Sequence, residues 1–464
     1  MRSIKSNIEV LSERELDLLL GTALKILSEI GMKVPNKELL GTCRERGCSL
    51  KGEDTLLFSE KVMEDFIAQS RALNLAVPAG VPQKLCGRIS SQVTLVDPMA
   101  KTRRYGLRAD NIKGYRLMEK LANISAAGAA VIPSDVPPAI ADTVVFADMH
   151  KYSTKPGFGY VLTMTGAKYM QQIYDLRGMK SNYLLESISP LTFKPDTLEI
   201  AQYFAKHGGE LRIAPMAMSA ATAPATVAGT LAIETAEALG SGYLVYVMTG
   251  GFPAFEASCH SADLRTMLCS FGSPNQAFFA AAAAQTARRC GIKGGSNAAL
   301  TDAILPDFQG GFEKGVTAAF AGLSGLSFIG CQGIAGADQG FCFEQLVIDN
   351  EWLGYMNHLI SGFDVTEETI GYDAIKQVGI AGHFLGEDHT IEHMRDDYWP
   401  SELFTRSSWE AWKASDERSL LERAHAFVEN AAAGDENAES VLDDDTCREL
   451  DKIIDAAYQG EMLC

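Results

Sequence analysis

From Ser12 to Ile30 the apolar residues Leu16, Leu20, Leu24, Leu27 and Ile30 recur at spacings of three and four, which predicts an amphipathic helix. The polar-alternating stretch that follows, to about Asp97, reads as helices and hairpins. From Ala122 the texture changes: short apolar runs rich in Val, Ile, Tyr and Gly alternate with Ala-rich helical stretches, the pattern of β/α units around a parallel sheet. The runs that read as strands are SAAGAAVI from Ser125, GFGYVLTM from Gly157, NYLLESI from Asn182, LRIAPMAMS from Leu211, GYLVYVM from Gly242, GIKGGSN from Gly291 and GLSFIG from Gly325. An eighth is expected from VTLVD at Val93, FPAFEAS at Phe252, or the chain near Ile380. Between the runs, Thr222 is placed to cap a helix through Pro224, Thr226, Leu231 and Glu237, and Ser273-Pro274 opens an Ala-rich helix to Arg289.

These units predict an α/β protein, a (β/α)8 TIM barrel with additional N- and C-terminal helices. Its parts are an N-terminal helical and hairpin region over 1–97, the barrel over 98–365 and a helical cap over 366–464. A doubly wound sheet competes, but no G-x-G-x-x-G follows a strand and no P-loop is present, so nothing supports a nucleotide cofactor. With 464 residues and 47% hydrophobic content, a large core is within reach.

Charge narrows the partners. A net charge of -18 disfavours nucleic acid and anionic membranes, and the longest basic run, Lys101 to Arg104, is short. Glu9, Glu13, Glu15 and Asp17 interrupt what a secretory signal needs as an apolar stretch, and no segment approaches the roughly 20 apolar residues of a spanning helix. The expectation is a cytoplasmic protein. The ten cysteines form no C-x-x-C pair, which leaves neither a disulfide framework nor a thiolate zinc site written in the chain.

One motif points elsewhere. His389, Glu392 and His393 spell H-x-x-E-H, the spacing by which one class of zinc peptidases sets two histidines one helical turn apart with a glutamate as base. The competing reading makes His389 a loop anchor and places Glu392 and His393 on a helix surface, with His383 facing the barrel mouth.

Three long blocks carry a more specific signal. They are ATAPATVAGTLAIETAEALGSGYLVYVMTGGFPAFEASCHSADLRTM from Ala221, NAALTDAILPDFQGGFEKGVTAAFAGLSGLSFIG with EQLVIDNEWLG between Asn297 and Gly354, and the stretch from His383 through DDYWPSELFTRSSWEAWKASDERSLLERA. Together they resemble the trimethylamine methyltransferase family, in order and over at least Ser125 to Ala424. The resemblance implies a (β/α)8 barrel that passes a substrate methyl group to Co(I) of a separate corrinoid protein, with no metal of its own and with homo-oligomers among its members. Trimethylamine-using members carry pyrrolysine, and this chain has only the twenty ordinary residues; by block order the position falls in ADQGFCFEQ, around Gly340 to Phe343. Members without pyrrolysine include enzymes that demethylate quaternary amines such as glycine betaine, and the chain resembles those.

The chemistry agrees with that subdivision. In-line attack on a methyl carbon needs a nitrogen that leaves neutral and is therefore positively charged beforehand, a condition that a quaternary ammonium always meets. Such a cation offers no N–H, so aromatic faces and carboxylates must recognise it. Tyr160, Tyr183, Glu186, Phe252, Phe255, Glu256, Phe341, Phe343 and Glu344 stand at strand ends or the loops beyond them, and Glu186, Phe255, Phe341 and Phe343 are the leading candidates for a cage or charge partner, against ordinary packing as the alternative. Arg265 is a candidate for a betaine carboxylate, with His260 weaker and the Gly250-Gly251 backbone as another route. Asp302, Asp307, Gln309, Gln332 and Gly333 are candidates to face substrate or corrin ring, while Asp307 as a helix cap with Glu313 solvated is the alternative. The reading is a methyltransferase acting on a quaternary amine, glycine betaine first. Proline betaine, carnitine or a methylamine, a zinc hydrolase, and a non-catalytic betaine-binding protein stay open.

Overall fold

The computed structural model describes residues 7–74, 84–89, 91–330, 332–395, 398–415, 417–433 and 440–462. Seven parallel strands form the central sheet: β1 (Cys86–Arg88), β2 (Ile124–Ala126), β3 (Asn182–Leu185), β4 (Glu210–Ile213), β5 (Phe255–Ala257), β6 (Gly294–Ser296) and β7 (Phe328–Gly330). Their spatial order is β2-β1-β7-β6-β5-β4-β3. Because β1 pairs with both β2 and β7, the first and last strands are neighbours and the sheet curls round.

The expected closed eight-stranded barrel is not what forms. The GFGYVLTM run keeps a single bridge, Gly157 to Ala127, and no ladder joins it to β3 among the described residues. Its end is drawn outward instead. The Asp142 carboxylate accepts the Leu162 N–H at 3.0 Å, and Thr163 caps the helix Met164–Leu176 by accepting from Gly166 N–H. VTLVD supplies Thr94–Asp97, but in a separate four-stranded sheet with Thr102–Tyr105, Ile334–Ala335 and Gly340–Phe341. Ile380 lies in an exposed turn. FPAFEAS does yield β5, and Cys86–Arg88, unread as a strand, yields β1.

GYLVYVM from Gly242 is not a strand either. It is the second half of the helix Val227–Thr249, whose cap is Thr226 accepting from Gly229 N–H at 3.1 Å rather than Thr222. An unbroken apolar run has no period to separate a buried helix from a buried strand. Here the helix begins upstream, continues through the Tyr- and Val-rich turns, and ends at Gly250 in the left-handed region.

Elsewhere the helices form where the sequence places them. Ser12 and Glu15 form a reciprocal capping box at the start of the helix Glu13–Lys25, which continues as a π-helical turn over Ile26–Ile30. The Ala-rich helix spans Asn275–Cys290. After the sheet, helix Phe343–Ser361 packs against Leu420–Ala433, and Asp444–Met462 packs on Ala141–Tyr152 and Met164–Leu176. No helix among the described residues is long and apolar enough to cross a membrane.

Helix Phe343–Ser361 is tied to its neighbours by a fully buried ion pair, Lys314 Nζ to Asp349 Oδ2 at 2.9 Å. Asp349 also accepts from Gly333 N–H, the Gln345 amide and the Trp352 indole, each at 2.7 Å, so its oxygens are fully used. Removing one partner of such a pair strands the other charge. Asp349→Ala is expected to cost about 3–5 kcal/mol, read as a fall in the urea midpoint, and Lys314→Met with Asp349→Leu recovers only part of the loss, because the Gly333, Gln345 and Trp352 donors stay unpaired.

Candidate active site

Inward-facing positions of the sheet are unusually polar. Glu256, the middle residue of β5, takes two N–H bonds from the Arg88 guanidinium of β1, Nη1 lying 2.8 Å from Oε1, and a third from Arg212 Nη1 of β4 at 2.7 Å. Burial pushes the Glu256 carboxyl up, but the two arginines more than offset that and hold it below the ordinary carboxylate value. Burial, helped by the Arg88 charge and opposed by Glu256, holds the Arg212 guanidinium below its usual value. Its guanidinium also lies over the Phe158 ring, 4.4 Å from the centroid, and Phe158 meets Tyr160 edge-on at 5.1 Å.

Two cavities flank this cluster. One of about 830 Å³ lies on the side of the strand N-termini, bordered by Cys86, Asn182, Glu210 and Lys293, and reaches Arg88, Arg212 and Glu256. In barrel-like sheets that end serves stability, whereas chemistry gathers at the strand C-termini. A second, of about 230 Å³, lies on the C-terminal side and is mostly apolar: Val131, Ile132, Phe158, Tyr160 and Leu162 line it. We place the candidate site at the C-terminal mouth despite the smaller volume, because chemistry gathers at strand C-termini in such sheets and the exposed acids Glu186 and Asp338 lie on loops that follow strand ends.

Glu186, one residue past β3, is the clearest of these. Its side chain is open to solvent, yet protein encloses it on most sides, and that enclosure raises its carboxyl to about 7. The Glu256 charge adds to the rise and Arg88 opposes it. Asp338, on the loop after β7, is likewise raised by enclosure, to about 6, against a 2.7 Å hydrogen bond from the Gln92 amide. It sits in the left-handed region beside Ala337 in the same state, two strained positions in succession. His260 is buried on Phe271, and burial lowers its imidazole.

Other acids at the mouth hold loops. Glu234 accepts from the N–H groups of Ala217, Ser258 and Cys259, and Glu237 from Leu191 N–H and the Ser187 and Ser189 hydroxyls. Burial raises both carboxyls. Asp302 holds Phe271 N–H and the Ser270 hydroxyl; Glu313 holds Asp302 N–H and the Thr301 hydroxyl.

The structure scatters the remaining sequence candidates. Phe255 shares its side of the sheet with Ile213, which packs toward Gly242 of the helix layer, so its ring is in the outer core. Phe341 and Phe343 are buried against each other at 5.4 Å, and Phe341 covers Gly333, whose φ of +82° suits only glycine there. Gln332 is fully buried, its amide oxygen accepting from Arg88 N–H at 2.7 Å. Asp307 caps the helix Phe308–Leu323, with Gln309 exposed and bonded to Glu313. Arg265 is on an exposed loop tip and His383 on an exposed C-terminal stretch. Arg88, Arg212 and Phe158 escaped sequence reading, and nothing local marks them.

In the H-x-x-E-H stretch, His389 Nε2 lies 3.0 Å from the Glu368 carbonyl and its ring 4.5 Å from His393. No group of three or more His, Cys, Asp or Glu able to hold a metal occurs among the described residues.

A curled parallel sheet with charged inward positions and an accessible acid at the C-terminal mouth describes an α/β enzyme scaffold. The family profile described as trimethylamine methyltransferase (MTTB) matches residues 1–460, and the chain belongs to that family. It is 26% identical over 446 residues to glycine betaine methyltransferase of Desulfitobacterium hafniense (strain Y51), covering 92% of each chain. It is 27% identical over 433 residues to trimethylamine methyltransferase MttB of Desulfitobacterium hafniense (strain DSM 10664 / DCB-2), covering 89% of this chain and 87% of that one. The crystal structure of the Methanosarcina barkeri monomethylamine methyltransferase (MtmB) is a loose match, with a TM-score of 0.45 and 10% identity over 93% of this chain and 95% of that one. The relatives are named methyltransferases, and this chain is a methyltransferase of the methylamine and betaine group.

The raised Glu186 carboxyl sets a sign for stability. The folded protein holds this proton up to about pH 7 while the unfolded chain loses it near 4.5, so ionisation penalises the fold as pH rises through that window. Glu186→Gln removes the penalty. Its thermal midpoint should exceed the wild type's at pH 8 and approach it at pH 5.

Proposed function

We propose that this chain moves one methyl group from a quaternary amine, glycine betaine first, to Co(I) of a separate corrinoid protein. What carries the reading is the similarity to a glycine betaine methyltransferase along 92% of both chains, in a sequence built only from the twenty ordinary amino acids. The seven-stranded sheet is read as a (β/α)8 barrel whose eighth position is the Gly157 segment. In this reading the cobalt attacks the methyl carbon in line, the C–N bond breaks, and its electron pair stays on nitrogen, which leaves as a neutral tertiary amine. No proton donor is needed for that departure. The chain's own work is positioning, exclusion of water and presentation of a docking rim.

The rim that suits a protein partner is the exposed start of helix Phe308–Leu323, where Phe308 and Phe312 stack at 6.0 Å beside Asp307 and Gln309. Gln332 and Gly333 support the adjacent loop from below. The similarity to a trimethylamine methyltransferase favours a second reading, the same transfer from another methylated amine.

The test is methylcobalamin formation. Under strict anoxia, purified protein with cob(I)alamin or a corrinoid protein should methylate it from glycine betaine and not from trimethylamine. Transfer from trimethylamine alone would select the second reading, and no transfer from any methylated amine would remove both.

A further inference from the structure

Most buried acids around the mouth spend their oxygens on loop N–H groups; Glu186 does not. It accepts no hydrogen bond from any described residue, and it is not needed as a clamp, because its loop is already held by Glu237 through Ser187, Ser189 and Leu191. The charges facing it are Arg88 of β1 and Glu256 of β5, with Arg212 of β4 behind Glu256. Those three neutralise one another to a single net positive charge. Tyr183, on its own strand, is buried and stacks on Phe204 at 5.7 Å in the helix layer. The structure therefore holds a carboxyl on a tethered loop at the mouth, open to solvent and with no hydrogen-bond partner of its own among the described residues. Phe158 borders both cavities, and its ring lies 4.4 Å from the Arg212 guanidinium and 5.1 Å from Tyr160, so the aromatic pair adjoins the arginine and glutamate cluster that faces Glu186.

We propose that Glu186 receives the substrate's cationic nitrogen, with Phe158 and Tyr160 as the aromatic wall, and that binding a cation there expels the proton carried by the empty site. The proposal rests on the methyltransferase reading above and deepens it. A permanent cation beside a carboxyl favours the anion, so the proton passes to solvent and a neutral carboxyl becomes the ammonium's counter-charge. Below about pH 7 the empty site then mostly avoids an uncompensated anion in an enclosed space, and a cationic ligand completes the charge. Glu256 supplies no proton, because its arginines keep it ionised. Asp338, raised to about 6, is already mostly ionised at pH 7 and has little proton to give.

Calorimetric titration of the full chain with tetramethylammonium, in phosphate and in Tris, reads the proton directly. At pH 7 the wild type should release about half a proton per cation, since its carboxyl is raised to about 7, and at pH 9 almost none. Affinity should rise by up to about tenfold per pH unit below 7 and level off above it. Glu186→Gln should lose the release and bind about tenfold more weakly at pH 8, while Glu186→Asp keeps the release. A wild type that releases no proton, a release that persists in Glu186→Gln, or no binding of tetramethylammonium would each overturn the proposal, and the wild-type measurement decides even where a variant fails to fold. Tetramethylammonium binding with release but no methyl transfer to cobalamin removes the methyltransferase reading and leaves the cation site. Methyl transfer without release does the reverse.

Discussion

Glu256 cannot stand inside the sheet alone. A carboxylate enclosed by strands needs opposite charge and hydrogen bonds close by, or it neutralises. Arg88 and Arg212 supply both from β1 and β4, so one carboxylate joins three strands drawn from widely separated parts of the chain. The same cluster leaves space on both sides, because its partners are long side chains lying across the lumen and the neighbouring strand β6 contributes two glycines, Gly294 and Gly295. Small residues make the hollow, and the cluster divides it.

Acidic residues do much of the remaining work by a different route. Glu234 and Glu237, one helical turn apart on the buried helix Val227–Thr249, reach the loops after β3, β4 and β5. Asp142 holds Leu162, Asp302 holds Phe271, and Glu313 holds Asp302 in turn. Each bond joins a helix or loop acid to a backbone N–H that bends away from the ladder and has no strand partner. A mouth built this way is stiff where it must be, and the loops can carry side chains at fixed height without an apolar anchor. Lys314 and Asp349 repeat the logic beneath the loop after β7, with four donors on one carboxylate.

The helical frame was the legible part of the sequence. The Leu16-to-Ile30 period and the Ala-rich run after Ser273-Pro274 report local amphipathicity and helix propensity, which need no tertiary information. Strand identity was less legible where burial was complete: GYLVYVM joined its helix because the helix was nucleated upstream, and Cys86–Arg88 is three residues of no β character held between β2 and β7. Of the mouth proposed as the site, one residue was already a leading candidate from the sequence. Glu186 follows a readable strand, and strand ends at the mouth are where function gathers. Arg88 and Glu256 are 168 positions apart, so no spacing rule links them. Phe255 and Phe341 fail as mouth aromatics because a strand's alternation decides which side a ring takes, and an unaligned short strand does not reveal its phase.

The phase of β5 then has a chemical consequence. With Phe255 outward in the helix layer, Glu256 must face inward, and the acid is there only because the ring beside it is not. Inward Glu256 recruits the arginines, and the arginines keep it charged. Its charge in turn resists a second anion at Glu186, two strands over and one residue past the end of β3. Two carboxyls so arranged divide into a permanent structural anion and a conditional one. Under the proposed function, which sets a permanent cation against a neutral amine of similar shape, a conditional anion is the more useful of the two: enclosure favours its neutral form below about pH 7, and a positive charge in place completes its ionisation.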